Sequence, residues 1–552
     1  MPTADKDVVI QSTVQVDATA EVSSLYVEPN GILEASAAKS TYNLTADTVI
    51  NKGVIRDGGT NQLRLKIYDL LQQDGQLTNY EIELYGDGDF SLYASQPLEC
   101  ARLVDYKGGG QTHFQTAVTC KQVFIDLDDV PVFLHGAKNN LTGQQANLTD
   151  TKIYGNGNEL YLSNNAVLDG STEIWNTQLT GTTRISGSYV WFKGPAVFVK
   201  DTLTHAPGES PTLNADTLYN QGIVTDLDPN YDFRIDLYTH LHNDGVIDNY
   251  EIEFWDDGDA TIFATQPVAV QRLVDYKDNG SITLLSGLTL HNTHWQTNDV
   301  PVSLNSTVVS VEGTSASVED VRFFGNGNSM NLTNGACLDG STEIWNTQLT
   351  GTTRISGSYV WFKGPAVFVK DTLTHAPGES PTLNADTLYN QGIVTDLDPN
   401  YDFRIDLYTH LHNDGVIDNY EIEFWDDGDA TIFATQPVAV QRLVDYKSAG
   451  SITALSDITF ENTYWDTDDV PFYLESSQLE LTGVASEMRD IDFYANTHAL
   501  RMGNGAVANG NTQIRDAHLY GNVQIDGTTV WFRDTVWVED TLSNAAGRNT
   551  LC

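Results

Sequence analysis

Asp-Gly-Asp turns are the first residues of this 552-residue chain whose types and spacing suggest chemistry. Each turn offers two carboxylates and nearby carbonyl oxygens, and Ca²⁺ takes about six to eight oxygen ligands. The residues are Asp87 and Asp89; Asp256, Asp257 and Asp259; and Asp426, Asp427 and Asp429. Their spacing predicts calcium sites. The alternative is a solvated acidic turn that keeps the surface soluble.

Two further groups of acidic loops offer oxygen ligands. One group comprises Asp226, Asp228 and Asp232, repeated as Asp396, Asp398 and Asp402. The other comprises Asp126, Asp128 and Asp129, matched by Asp466, Asp468 and Asp469. Either group is a candidate for calcium on the same argument, with the same alternative.

Paired histidines occur twice, as His240 with His242 and as His410 with His412. Alternation places both imidazoles of a pair on one strand face, where one metal ion could accept them. No acidic residue at a fixed spacing completes a ligand set. Surface histidines beside a turn are therefore the favoured interpretation.

Enzymatic chemistry is not predicted. The chain has no Gly-x-Ser-x-Gly motif, P-loop or dinucleotide-binding fingerprint. Carboxylate pairs with glycosidase spacing are unavoidable among 75 acidic residues, so they carry little weight. An enzyme also needs one specialised cleft, whereas 110 residues of this chain are duplicated outright, so any site within them would occur twice. A polysaccharide-acting enzyme is the least favoured of three functional alternatives.

Two cysteines and three tryptophans complete the candidate residues. Cys100 and Cys120 lie about one coil apart at apolar positions, so they are either buried thiols or a disulfide between neighbouring coils. Trp175, Trp255 and Trp295 are expected to face outward, where they would stack sugars or bury against a partner. Packing under a loop is the alternative for these tryptophans.

A tandem repeat must position all of these residues. Residues 168–277 recur unchanged as residues 338–447, an offset of 170 residues. The offset predicts copies at 1–167, 168–337 and 338–507 and a partial fourth at 508–552, with the degraded first and last copies as caps.

A shorter sequence repeat within each copy indicates the fold. Alternating apolar and polar residues predict strands throughout. Leu218-Tyr-Asn-Gln-Gly-Ile-Val is echoed 23 residues later by Leu241-His-Asn-Asp-Gly-Val-Ile. We expect stacked asparagines to form an amide ladder and glycine to supply a positive φ. The prediction is an all-β, elongated parallel β-solenoid, and tandem β-sandwich domains are the alternative.

The echoes at Leu218 and Leu241 resemble the coil motif of right-handed parallel β-helices. They are similar to the coils of filamentous-haemagglutinin-type bacterial surface proteins. This resemblance implies a β-helix architecture and an extracellular or cell-surface location.

The formal net charge of −46 excludes several partners. Nucleic acids and anionic membrane surfaces both require a cationic footprint. No apolar run is long enough to span a bilayer. The charge instead suggests divalent cations or a salty medium as the screening partner.

These observations predict a structural extracellular protein, a subunit of a filament that assembles head to tail with other copies. The expected joining strands contain Val8, Ile10, Val14 and Val16 at the front, and Val530, Trp531, Phe532, Val536, Trp537 and Val538 at the end. The alternative is a monomeric adhesin stalk or carbohydrate-binding surface protein, with glycans or other cell-surface molecules as partners.

Overall fold

Parallel β-strands form every regular element of the computed structural model, which describes residues 6–545 except 39, 229, 358, 399, 527 and 528, and except the side chains at 195, 196, 365 and 366. The predicted parallel β-solenoid is confirmed over residues 7–544. Tandem sandwiches are excluded because their sheets are antiparallel, whereas the strands here pair in parallel one coil apart. No helix in the described part of the chain has the length and apolar character to cross a bilayer.

The chain divides into two compact units, Met1–Gln271 and Arg272–Cys552. The division falls within strand β29, Val268–Asp275. The predicted repeat boundaries stay a prediction.

The first unit contains strands β1 to β28. In order they are Asp7–Ile10, Thr13–Val16, Ala20–Val27, Ile32–Ala35, Thr41–Asn51, Val54–Arg56, Gln62–Gln73, Gln76–Thr78, Glu81–Gly86, Phe90–Ala94, Arg102–Lys107, Thr112–Phe114, Thr119–Lys121, Phe124–Asp126, Val132–Leu134, Lys138–Thr142, Asn147–Thr149, Lys152–Tyr154, Glu159–Ser163, Val167–Asp169, Glu173–Ile185, Val190–Val199, Thr202–His205, Thr212–Asn220, Ile223–Thr225, Arg234–Asn243, Val246–Phe254 and Ala260–Ala264.

The second unit contains the strands after β29. From β30 to β61 they are Ile282–Leu284, Leu288–His291, His294–Gln296, Val302–Leu304, Val308–Glu312, Ser317–Glu319, Arg322–Phe324, Ser329–Thr333, Cys337–Asp339, Glu343–Ile355, Val360–Val369, Thr372–His375, Thr382–Asn390, Ile393–Thr395, Arg404–Asn413, Val416–Phe424, Gly428–Ala434, Val438–Asp445, Gly450–Ala454, Ile458–Glu461, Tyr464–Asp466, Phe472–Leu474, Gln478–Thr482, Glu487–Arg489, Asp492–Tyr494, Ala499–Gly503, Val507–Asn509, Gln513–Arg515, His518–Ile525, Trp531–Arg533, Trp537–Val538 and Thr541–Asn544.

Each coil buries apolar side chains against the same positions of the coils before and after it. Leu25 pairs in register with Val49, Val49 with Leu71, Leu71 with Leu92, and Leu92 with Phe114. All five side chains are buried. Burying one such leucine stabilises the folded chain by about 1.5–3 kcal/mol, but only when the adjacent coils cover it. A single coil therefore cannot form this apolar interior alone.

The expected amide ladder is confirmed. The side-chain amide of Asn51 donates to Gln73 Oε1 at 2.8 Å, and Asn220 donates to Asn243 Oδ1 at 2.8 Å in the same way. These side chains are fully buried, so the ladder satisfies polar groups that would otherwise be costly.

The glycine that follows each ladder residue serves a different purpose from the one expected. Gly222 and Gly245 do not have the positive φ that a tight turn would demand. A Cβ on Gly245 would instead lie 2.1 Å from the carbonyl oxygen of Gly222. Glycine is required because successive backbones approach too closely for any side chain.

Candidate functional site

Two clusters of three aspartates are the best-formed candidate metal sites. Asp105, Asp128 and Asp129 form the first cluster, and Asp445, Asp468 and Asp469 form the second. Within each cluster, the candidate ligand oxygens lie within 4.8 Å of one another. The clusters can therefore hold metal ions.

Neighbouring coils position these carboxylates. Asp105 lies in β11 (Arg102–Lys107), and Asp128 and Asp129 follow β14 (Phe124–Asp126), which pairs with β11. Asp445 lies at the end of β47 (Val438–Asp445), and Asp468 and Asp469 follow β50 (Tyr464–Asp466), which pairs with β47. Sequence reasoning found the Asp-Asp turns and missed their buried partners. The signal was present, because Asp105 and Asp129 belong to two recurring motifs separated by about one coil.

The buried aspartate of each cluster also holds the backbone of the following turn. Asp105 Oδ1 accepts a hydrogen bond from the backbone N–H of Asp129 at 3.2 Å. In the second cluster, Asp445 accepts from the N–H groups of Asp469 and Val470, each at 3.2 Å. The carboxylate thus fixes the turn that carries the other two ligands.

Burial and like charge both disfavour ionisation of these buried groups. Burial, followed by repulsion from Asp129, raises the pKa of Asp105 to about 6. Burial, followed by repulsion from Asp469, raises the pKa of Asp445 to about 7. A bound cation would remove both penalties, because it favours the charged carboxylate.

The middle copy of the repeat carries a natural variant of the cluster. Asp275 accepts hydrogen bonds from the backbone N–H groups of Asp299 and Val300, so the turn is built in the same way. Asn298 stands where the other copies have Asp128 and Asp468. This position therefore offers one carboxylate fewer.

The Asp-Gly-Asp turns do not gather three carboxylates among the residues that the structure describes. All of these aspartates are exposed, and Asp429 lies within β46 whereas the others lie outside strands: Asp87, Asp89, Asp256, Asp257, Asp259, Asp426 and Asp427. At two of these turns a lysine ammonium takes up carbonyl oxygens: Lys107 donates to Gly88 O at 2.6 Å, and Lys447 donates to Trp425 O at 3.2 Å and to Asp426 O. The lysine thus occupies oxygens that calcium would need.

The paired histidines direct ring nitrogens to other partners. His240 Nδ1 lies 2.6 Å from Thr261 Oγ1, and His242 Nε2 lies 2.9 Å from Asp244 Oδ2. The second pair repeats this arrangement. These contacts favour histidines with structural hydrogen bonds over a shared metal site.

Cys100 and Cys120 are buried free thiols, which is the first of the two alternatives that their sequence positions left open. The strand register explains this, because Cys120 lies opposite Leu98. Burial raises the pKa of both thiols, that of Cys120 to about 12, which makes them unreactive.

The three tryptophans occupy three different environments. Trp255 is 36% exposed, as expected for an outward residue. Trp295 is 1% exposed, so its outward prediction is wrong: it pairs with buried Leu273, and its indole N–H donates to Thr297 Oγ1 at 2.9 Å. Trp175 is half-buried and stacks on Tyr154 with ring centroids 5.4 Å apart.

The predicted joining strand at the front of the chain lies at an open strand edge. Among the described residues, β1 (Asp7–Ile10) pairs only with β3, and β2 (Thr13–Val16) pairs only with β4. Val14 pairs with buried Leu33 but is itself 39% exposed, whereas Ile10 and Val16 are buried. An apolar cavity of about 250 Å³ opens beside Val8, Ile10, Val14 and Val16.

The predicted joining strands near the end also form an edge. Phe532 pairs with Ile514 and Val538 pairs with Leu519, and both partners are fully buried. Trp531, Phe532, Trp537 and Val538 are nevertheless exposed, while Val530 and Val536 lie outside the strands and are half-buried. Apolar residues at core-facing positions therefore meet solvent at this edge.

No protein-family model, curated protein or solved structure matches the chain.

Proposed function

We propose that the protein is a structural, non-enzymatic subunit of an extracellular filament in which copies join head to tail by adding coil to coil. The observation that carries this proposal is the exposure of core-facing apolar residues at both strand edges. Val14 marks one edge, and Phe532 and Val538 mark the other. In each case the residue in register one coil inward is buried.

Strand addition fits the chemistry of such edges. An open edge presents unpaired backbone N–H and C=O groups, and an incoming strand satisfies them while covering the apolar side chains. The two edges differ in sequence, so their contact is heterologous. A heterologous contact that does not close into a ring extends into a fibre.

The extracellular location rests on two supports. The coil motif resembles that of filamentous-haemagglutinin-type surface proteins. The net charge of −46 suits a medium rich in salt or divalent cations. Within this proposal, calcium is the ion that the triple-aspartate clusters suit, because carboxylate oxygens are the ligands it prefers.

The second candidate is a monomeric adhesin stalk or carbohydrate-binding surface protein. The exposed indole of Trp255 supports it, because an outward aromatic ring can stack on a sugar. The stacking of Trp175 on Tyr154 weighs against it, since such stacking covers ring faces that a sugar would need.

Negative-stain microscopy over a concentration series, with and without a chelator, tests the proposal. Fibres longer than one molecule support assembly, whereas single particles at every concentration favour the stalk. Deleting residues 1–16 removes β1 and β2 and should abolish fibres while the remaining coils stay folded. Fibres that persist after this deletion would show that the joining strand is misassigned.

A further inference from the structure

We infer that the chain binds a divalent cation at Asp105, Asp128 and Asp129. The inference rests on the proposal that calcium is the ion of this acidic chain, and it gives that ion named residues in place of the Asp-Gly-Asp turns. It does not depend on filament formation.

An unsatisfied buried oxygen separates the first cluster from an ordinary acidic turn. Asp105 is only 3% exposed, and its Oδ2 has no hydrogen-bond partner among the described residues. A buried acceptor without a partner costs about 1–3 kcal/mol, and more when the group is charged. The two carboxylates that share this cluster are exposed, so a cation can reach the buried oxygen from solvent.

The ligand chemistry selects a hard divalent cation. Each cluster offers carboxylate oxygens from three side chains, and ions such as Zn²⁺ or Cu⁺ favour histidine or cysteine ligands. Because two of the three aspartates are exposed, water can supply the remaining ligands that Ca²⁺ takes. Sites with few protein ligands correspond to dissociation constants of about 0.1–1 mM, as in extracellular calcium modules.

A bound ion would connect successive coils. Asp105 lies in β11 of one coil, and Asp128 and Asp129 follow β14 of the next coil, which pairs with β11. The ion would therefore hold the Asp-Asp turn against the preceding strand and offset the repulsion among three carboxylates. The second cluster differs, because both oxygens of Asp445 already accept backbone N–H groups, from Asp469 and from Val470.

Calcium titration of the full chain by calorimetry in about 0.15 M KCl, which screens diffuse attraction to a polyanion, tests the inference. The wild-type chain should bind one ion at this cluster. Asp128→Ala should weaken binding by at least tenfold. Asp257→Ala is the matched control, because it removes the same charge from an Asp-Gly-Asp turn and should leave binding intact.

The second cluster provides a further comparison. Asp468→Ala should leave calcium binding unchanged, because both oxygens of Asp445 already accept backbone N–H groups. The inference is overturned if the wild-type chain binds no ion, if Asp128→Ala and Asp257→Ala lose binding equally, or if Asp468→Ala weakens binding as much as Asp128→Ala. Because fibres are scored by microscopy and ions by calorimetry, either proposal can fail without the other.

Discussion

Phe532 lies opposite Ile514 in the parallel register, yet Phe532 is 36% exposed while Ile514 is fully buried. The two residues occupy equivalent positions in successive coils. Their difference therefore reports the lack of a covering coil among the described residues rather than a change in strand orientation. The filament proposal follows from this relationship and from its counterpart at Val14 and Leu33.

Calcium-free protein should lose stability as the pH rises from about 4 to 7. The pKa values of Asp105 and Asp275 are raised to about 6 and that of Asp445 to about 7, from 3.8 for an exposed aspartate. A raised folded-state pKa gives stability that is present at low pH and is lost as the pH passes the folded pKa. Urea unfolding in a chelator across this range measures the effect.

Calcium should weaken that pH dependence, because the ion favours the charged carboxylates of the cluster that binds it. Carboxylates with lowered pKa, such as Asp74 and Asp244, titrate below this window and do not mask the trend. Stability that rises with pH in the chelator would contradict the assignment of buried, repelling aspartates.

Lysine at Asp236 and Asp406 should stabilise the protein at pH 8. Burial raises the pKa of both aspartates to about 6, and each lies in register with a buried glutamate, Glu253 or Glu423. The first copy has Lys66 at this position, with its Nζ 3.3 Å from Glu83 Oε2.

The double variant Asp236→Lys with Asp406→Lys should therefore gain about 1 kcal/mol per site in free energy of unfolding. Thermal and urea unfolding at pH 8 provide the measurement. The control is Asp236→Asn with Asp406→Asn, which removes the repulsion without adding an ion pair and should gain less. A loss of stability in the lysine variant would show that the carboxylate pairs are required.

Replacing Asn220 by Ala should cost about 1–3 kcal/mol, because buried groups lose their partners. The Asn220 side chain donates to Asn243 Oδ1 at 2.8 Å and accepts from the backbone N–H of Gly222 at 3.1 Å. Urea unfolding checks the loss. Asn298→Ala, at an exposed position, is the control and should change stability little in calcium-free buffer. Equal losses of stability in both variants would show that the amide ladder does not stabilise the fold.

Gly245→Ala should destabilise the protein severely, because the new methyl group would collide with the carbonyl oxygen of Gly222. The control is Gly88→Ala, where no heavy atom lies within 4 Å of the new Cβ. Thermal unfolding of the two variants compares them directly. Similar melting temperatures would mean that successive backbones can separate without cost.

The solenoid was predictable because its signals are local and repeat along the chain. The echo of Asn220 in Asn243 marks both a ladder and the length of a coil. Alternation identified the strands, and the buried series from Leu25 to Phe114 follows that alternation.

The candidate metal clusters were only half predictable because they depend on coil register. The exposed pair Asp128 and Asp129 is visible as consecutive acidic residues. Asp105 is 24 residues from Asp129, and only a known coil length places it beside that turn. The Asp-Gly-Asp turns failed to gather carboxylates for a similar reason, since Lys447 reaches the carbonyl of Asp426 from the next coil. The inward turn of Trp295 likewise depends on its register with Leu273.

Analytical ultracentrifugation of two edge-blocked variants, alone and mixed, tests the central claim of head-to-tail assembly most directly. Val14→Lys places a charge at one open edge, and Val538→Lys does so at the other. Val484→Lys, at a position 87% exposed and away from both edges, is the control and should still form fibres. Each edge variant alone should remain monomeric, and their equimolar mixture should form dimers that grow no further. Fibres from either edge variant alone, or a mixture that stays monomeric, would contradict the account.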